Sequence, residues 1–189
     1  APALADVTGS LGAATLYAYA GGADEADAAA DAEAFSRTLE QLGSLGFTQE
    51  QQRHLVNVLA AILALGNVAF EGGEGARLTS SAKPLAQAAR LLAVGPPALE
   101  SALVSRKVAS GRGSSYTVPL THSQCVDTRD ALAKALYASV FDWIIARLNA
   151  HVQTIATSPF TDEDERFVGI LDVFGFENFD YNSFEQLCI

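Results

Sequence analysis

Near the end of the sequence, GILDVFGFENFDYNSF sets Asp172 at the tip of an apolar run, with Gly175 and Glu177 just beyond it. A carboxylate at a strand end can order the water shell of a divalent metal. A glycine can bring its backbone N–H against a phosphate, because no Cβ holds the ligand away. Asp172 and Gly175 would therefore make half of a site for a metal-bound nucleoside triphosphate. The other half, a GxxxxGK[ST] loop that cradles the phosphates, does not occur in the 189 residues. GRGSSY at 111–116 has neither the length nor the lysine. The plainer alternative is a buried strand whose aspartate caps the next turn and whose glycine takes a positive φ.

A second candidate is electrostatic. The chain carries a formal net charge of −10, which works against nucleic acid or an anionic membrane as a partner. Yet Arg106, Lys107 and Arg112 gather around VASGRGSSYTVPL, where Tyr116 and Val118 alternate before Pro119. That pattern predicts an extended loop or hairpin. Metal chemistry has little support elsewhere. His54 and His122 have no second histidine or cysteine at ligand spacing, and Cys125 and Cys188 sit in amphipathic helical patterns, which favours a reducing compartment over a disulfide framework.

The elements that must position these residues are mostly helices. After an irregular Ala-, Gly- and Asp-rich lead-in, broken only by the aromatics of LYAYAGG, the spacing predicts a helix over about 31–45 with Phe35, Leu39 and Leu42 on one face and Gly46 as its stop. TQEQQRHLVNVLAAILALG predicts another, opened by a capping box between Thr48 and Gln51, with Leu55, Leu59, Ile62 and Leu63 as its inner face. EGGEGARLTSS reads as a loop. PLAQAARLLAV reads as a helix, and Pro96 and Pro97 start a further one that runs through ALESALVSRKV. A long helix is expected over about 122–155, with Ala133, Leu136, Val140, Ile144 and Leu148 in one stripe and with Phe141 and Trp143 burying further sides.

RFVGILDVF, 166–174, is the strong strand. It is apolar without alternation, as in a sheet covered on both faces. The fold class read from these patterns is mainly α, a helical body of 1–165 followed by one buried strand and the start of a helix in 166–189. No apolar run approaches the roughly 20 residues that span a bilayer, and a cytoplasmic protein is expected.

Taken in order, these segments resemble the myosin motor domain. LDVFGFENFDYNSFEQLCI is similar to switch II and the start of the relay helix, and RDALAKALYASVFDWIIARLN to the long helix before it. GFTQEQQRHLVNVLAAILALGNVAF resembles the helix ending in Leu-Gly-Asn-Val, and LLAVGPPALESALVSRKV the segment before the actin-facing loop, here 105–120. The resemblance implies a piece of the upper fifty-kilodalton subdomain, one jaw of the actin cleft, with a strand of the central α/β sheet of a P-loop-type motor. It also implies that the P-loop and switch I precede the stretch and that it ends within the relay helix. The loop is like that of class I myosins and the LDVFGFENF switch like that of others, so the class stays open.

The roles implied by the resemblance are specific. Asp172 would order the waters of a magnesium ion, Gly175 would meet the γ-phosphate of ATP, and Glu177 would pair with a switch I arginine that this chain does not contain. Arg106, Lys107, Arg112 and Tyr116 would face actin filaments, and Ser114, sixteen residues before Asp130, would be a phosphorylation site. Light chains or calmodulin would bind through a lever elsewhere, and the setting would be the actin cytoskeleton. The full motor would be a magnesium-dependent, actin-activated ATPase, with this stretch inactive alone. The alternative from another class is a non-enzymatic actin-binding or scaffolding protein with a degenerate head.

Overall fold

The computed structural model describes residues 16–20, 28–73, 75–79, 82–109 and 115–155, which all fall in one compact unit, 1–155. The expected strand at 166–174 lies outside them. The described part is mainly α, as the patterns indicate. Helices α1 (Ala28–Ser44), α2 (Gln49–Gly66), α3 (Lys83–Leu91), α4 (Pro96–Val104) and α5 (His122–Ile155) carry antiparallel strand pairs β1 (Phe70–Glu71) with β2 (Arg77–Leu78) and β3 (Ser105–Ala109) with β4 (Ser115–Pro119).

Local chemistry sets the helix ends. At α2 the capping box forms as expected: Thr48 Oγ1 accepts the Gln51 N–H at 3.2 Å, and Gln51 Oε1 accepts the Thr48 N–H at 2.9 Å. The same T-x-x-Q device opens α5, between Thr121 and Gln124. Helix α1 stops at Gly46, whose φ of 83° turns the chain out. Phe47 N–H then reaches back to Leu42 O at 3.0 Å and Gly46 N–H to Gly43 O at 3.1 Å, satisfying the last carbonyls.

Helix α2 is the centre of the unit. Its buried positions include Leu55, as expected, with Val56, Ala60, Ala61, Ala64 and Leu65, whereas the expected Leu59, Ile62 and Leu63 are only half-buried. The reason is volume. Ala64 shares a core cluster with Ala88 and Ala89 of α3, and Ala60 and Ala61 share one with Leu91, so small side chains let the two helices pack closely in place of the larger leucines that periodicity favours. The core extends from there to Leu103 of α4, Leu120 after the ribbon and Cys125 of α5.

Helix α5, 34 residues and so about 50 Å long, runs antiparallel to α2. Its start meets the end of α2 through Arg129 and Val68, and its second half meets the start of α2 through Trp143, edge-on to Phe47 with ring centroids 5.5 Å apart. The stripe Leu136, Val140, Ile144 and Leu148 is half-buried and Ala133 fully so. Phe141 corrects the expectation of burial on further sides. It is 56% exposed and shares the outer face with Tyr137 and Ile145.

Two shorter readings also change. SRKVA does not continue α4: the helix ends at Val104 and Ser105 turns into β3, because Val108 and Arg106 find ladder partners in the β-prone Tyr116 and Val118. The stretch read as a loop after α2 contains the small β1–β2 pair, fastened at its rim by Arg77 and Glu71 at 3.2 Å.

Candidate functional site

The loop expected to bear charge is a two-stranded ribbon. Its register pairs Arg106 with Val118, Lys107 with Thr117, Val108 with Tyr116 and Ala109 with Ser115. Directly opposed residues of an antiparallel pair share a face, and neighbours along a strand alternate. Arg106, Val108, Tyr116 and Val118 therefore lie on one face, while Lys107 and Thr117 lie on the other. Arg106, Lys107 and Tyr116 are exposed, Tyr116 by 57%, and Val108 and Val118 are half-buried. Among the described residues neither Arg106 nor Lys107 enters an ion pair. The ribbon is tied to the body at its base, where Leu120 N–H donates to Val104 O and Ala76 N–H to Leu120 O, each at 2.9 Å.

The ribbon thus brings together Arg106 and Tyr116 but separates Lys107 from them. Arg112 and Ser114 lie outside the described residues, as do Asp172, Gly175 and Glu177. Among the described residues no group of three His, Cys, Asp or Glu side chains could hold a metal, and His54 and His122 are exposed.

Sequence reasoning missed a polar knot at the junction of α2 and α5. The carbonyls of Gly66 and Val68 accept the Arg129 guanidinium at 3.4 and 2.8 Å, which caps the negative end of α2. Arg129 also pairs with Asp130 at 2.7 Å and lies over the Tyr19 ring, 5.7 Å from its centroid. Asp130 accepts the Tyr19 hydroxyl. Burial pushes the Asp130 carboxyl up, but the hydrogen bonds from Tyr19 and Arg129 and the charges of Arg129 and Lys134 together hold it below the usual range. Burial and the Asp130 carboxylate push the Tyr19 phenol up. Asn67 completes the knot, accepting Ala18 N–H at 2.9 Å and donating to Leu16 O at 2.7 Å. The available signal was the aromatic pair of LYAYAGG inside an otherwise small-residue segment.

Tyr19 and Asp130 form the rim of an open apolar groove of about 640 Å³ between α2 and α5, floored by Leu59, Ile62, Leu63 and Ala133. Leu59, Ile62 and Leu63, expected in the core, therefore line a surface cleft.

The described residues thus form a helical body that carries a two-stranded ribbon with two exposed cations. Residues 8–189 match the family model "Myosin head (motor domain)", and the chain belongs to that family. It is 42% identical over 159 residues to "Unconventional myosin IC" of Drosophila melanogaster, covering 84% of this chain and 15% of that protein. It is 38% identical to "Myosin-1" of Eremothecium gossypii, over 92% of this chain and 13% of that one, and 40% identical to human "Unconventional myosin-XV", over 95% and 5%. The chain thus spans a small part of the length of these relatives, and their closely similar identities favour no one class.

Proposed function

We propose that the protein takes part in a motor that couples ATP hydrolysis to movement along actin filaments, with the described residues forming the upper jaw of the actin cleft. The observation that carries the reading is the β3–β4 ribbon. Its Arg106 and Lys107, which form no ion pair among the described residues, and its exposed Tyr116 stand out from a chain of net charge −10, which suits an acidic filament. Membership of the myosin head family supports the same reading. No helix among the described residues is long and apolar enough to cross a membrane, and we place the protein at the actin cytoskeleton, with light chains or calmodulin bound elsewhere in the full molecule.

The nucleotide side of the proposal rests on 166–189, the switch II strand and the start of the relay helix in our division of the chain. Asp172 would orient magnesium-bound water, Gly175 would donate its N–H to the γ-phosphate, and Glu177 would hold an arginine of switch I across the attacking water. Bound magnesium would supply charge stabilisation at the phosphates. The sequence has no phosphate-cradling lysine loop, so the 189 residues alone are expected to be inactive.

The test is ATP turnover by the full-length protein in magnesium, with and without filamentous actin. Acceleration by actin, abolished by Glu177→Ala, supports the motor. Actin binding without turnover would replace it with a non-enzymatic actin-binding protein. Turnover by residues 1–189 alone would overturn the assignment of the nucleotide site.

A further inference from the structure

We propose that the two faces of the β3–β4 ribbon contribute differently to actin binding: Arg106 and Tyr116 form the seated contact, and Lys107 acts only as a steering charge. This rests on the actin-binding reading above and goes beyond it, because that reading treats the basic residues as one patch.

The register decides the matter. Arg106 opposes Val118, and Val108 opposes Tyr116, so Arg106, Val108, Tyr116 and Val118 form one continuous surface on which the arginine and tyrosine are cross-strand diagonal neighbours. That surface combines a guanidinium, a phenol 57% exposed and two half-buried valines. Arginine and tyrosine are the side chains that most often dominate docking energetics, since each joins a large apolar body to a polar end. The guanidinium can also hold a carboxylate through two parallel hydrogen bonds.

The other face offers Ser105, Lys107, Ala109, Ser115, Thr117 and Pro119. Apart from Lys107 these side chains are small, with little area to bury. Lys107 is exposed and forms no ion pair among the described residues; its ammonium is a strongly hydrated point charge on a flexible stem. It can raise the encounter rate with an acidic filament without being desolvated in the complex. Opposite faces of a two-stranded ribbon cannot both seat on one surface. The occupant argued for is a protein surface carrying carboxylates beside an apolar patch, which complements the arginine–tyrosine–valine face in both charge and polarity.

The experiment measures association and dissociation of the full-length protein with filamentous actin at low and high ionic strength. Lys107→Ala should slow association at low salt, with the difference vanishing at high salt, and should leave dissociation unchanged. Arg106→Ala and Tyr116→Ala should each speed dissociation, by about tenfold, at both ionic strengths. Thr117→Ala, on the Lys107 face, should alter neither rate. The proposal is overturned if Lys107→Ala speeds dissociation as much as Arg106→Ala does, or if all three basic and aromatic variants affect association alone. The doubly reversed variant Arg106→Glu/Lys107→Glu separates the two levels: if it too binds actin normally, the actin-binding reading itself fails.

Discussion

Tyr19 gives its phenolic proton to the carboxylate of Asp130, a residue 111 positions later in the chain. This hydrogen bond, with the Asn67 contacts, fastens the lead-in turn to the junction of α2 and α5. Tyr19→Phe keeps the ring over Gly66 but removes the bond, and at this partly exposed site it should cost about 1 kcal/mol of stability. Asp130→Ala should cost more, about 2–3 kcal/mol, because it also strips the nearest anion from Arg129, whose side chain is 15% exposed. Equal losses in denaturant titrations of the two variants would show that Arg129 is satisfied by the Gly66 and Val68 carbonyls without Asp130.

The same pair sets a pH window. The Asp130 carboxyl lies below its ordinary 3.8, so its contribution is full above that value and is lost as pH falls through the lower folded one. The Tyr19 phenol lies above its ordinary 10.0, so its contribution is full below that value and is lost as pH rises through the higher folded one. Stability attributable to the knot should therefore be flat between these limits and fall on both sides. Tyr19→Phe should flatten the alkaline limb. An alkaline limb unchanged by that substitution would mean the phenol is not what titrates.

Much of this architecture is legible in the sequence because short-range chemistry fixes it. The T-x-x-Q box at Thr48, the glycine stop at Gly46, the proline start at Pro96 and the length of α5 each depend on residues within a few positions of one another. What escaped depends on partners far along the chain. The end of α4 at Val104 is decided by the pairing of β3 with Tyr116 and Val118, and the buried face of α2 by Ala88, Ala89 and Leu91 of α3. At the candidate site, the basic residues were visible as a cluster. Strand alternation alone puts Arg106 and Lys107 on opposite faces, but which of them shares a face with Tyr116 follows from the register, which a one-residue slip would invert.

Gly46 meets two demands at once. Its φ of 83° disfavours any side chain, and an added Cβ would lie 2.5 Å from Nδ1 of His151 on α5. Gly46→Ala should lose about 1–2 kcal/mol from the backbone conformation and about 1–3 kcal/mol more from crowding if the ring cannot move away. In a His151→Ala background only the second part should disappear. A double-mutant cycle measures the difference, and full rescue by His151→Ala would show that the backbone conformation contributes nothing.

Ala93 performs for α3 the task that Gly46 performs for α1, without a glycine. Its φ is 55°, and around it Val94 N–H bonds to Ala89 O at 2.9 Å and Ala93 N–H to Arg90 O at 3.2 Å, the same helix-closing pattern. The left-handed conformation costs an alanine about 1–2 kcal/mol, and a glycine here would give back about 0.5–1 kcal/mol through the entropy of its unfolded chain. Ala93→Gly should therefore stabilise the protein by about 0.5–1 kcal/mol, read as a raised denaturation midpoint. A lowered midpoint would mean that chain entropy outweighs the relieved strain.

Ser114 carries the regulatory prediction. It follows Arg112 by two residues and precedes β4. A phosphate there would bring about two negative charges to the most basic stretch of the chain. We propose that its pairing with the Arg112 guanidinium favours the arrangement of this stretch that binds actin. A charge pair at about 4 Å in water is worth about 1 kcal/mol, or about fivefold in an equilibrium. In the full-length protein, Ser114→Glu should therefore show an actin-activated ATP turnover up to about fivefold above that of Ser114→Ala, shrinking as salt screens the pair. Identical rates at low salt would remove Ser114 as a control site, and a slower Ser114→Glu would mean that repulsion from the acidic filament outweighs the pairing with Arg112.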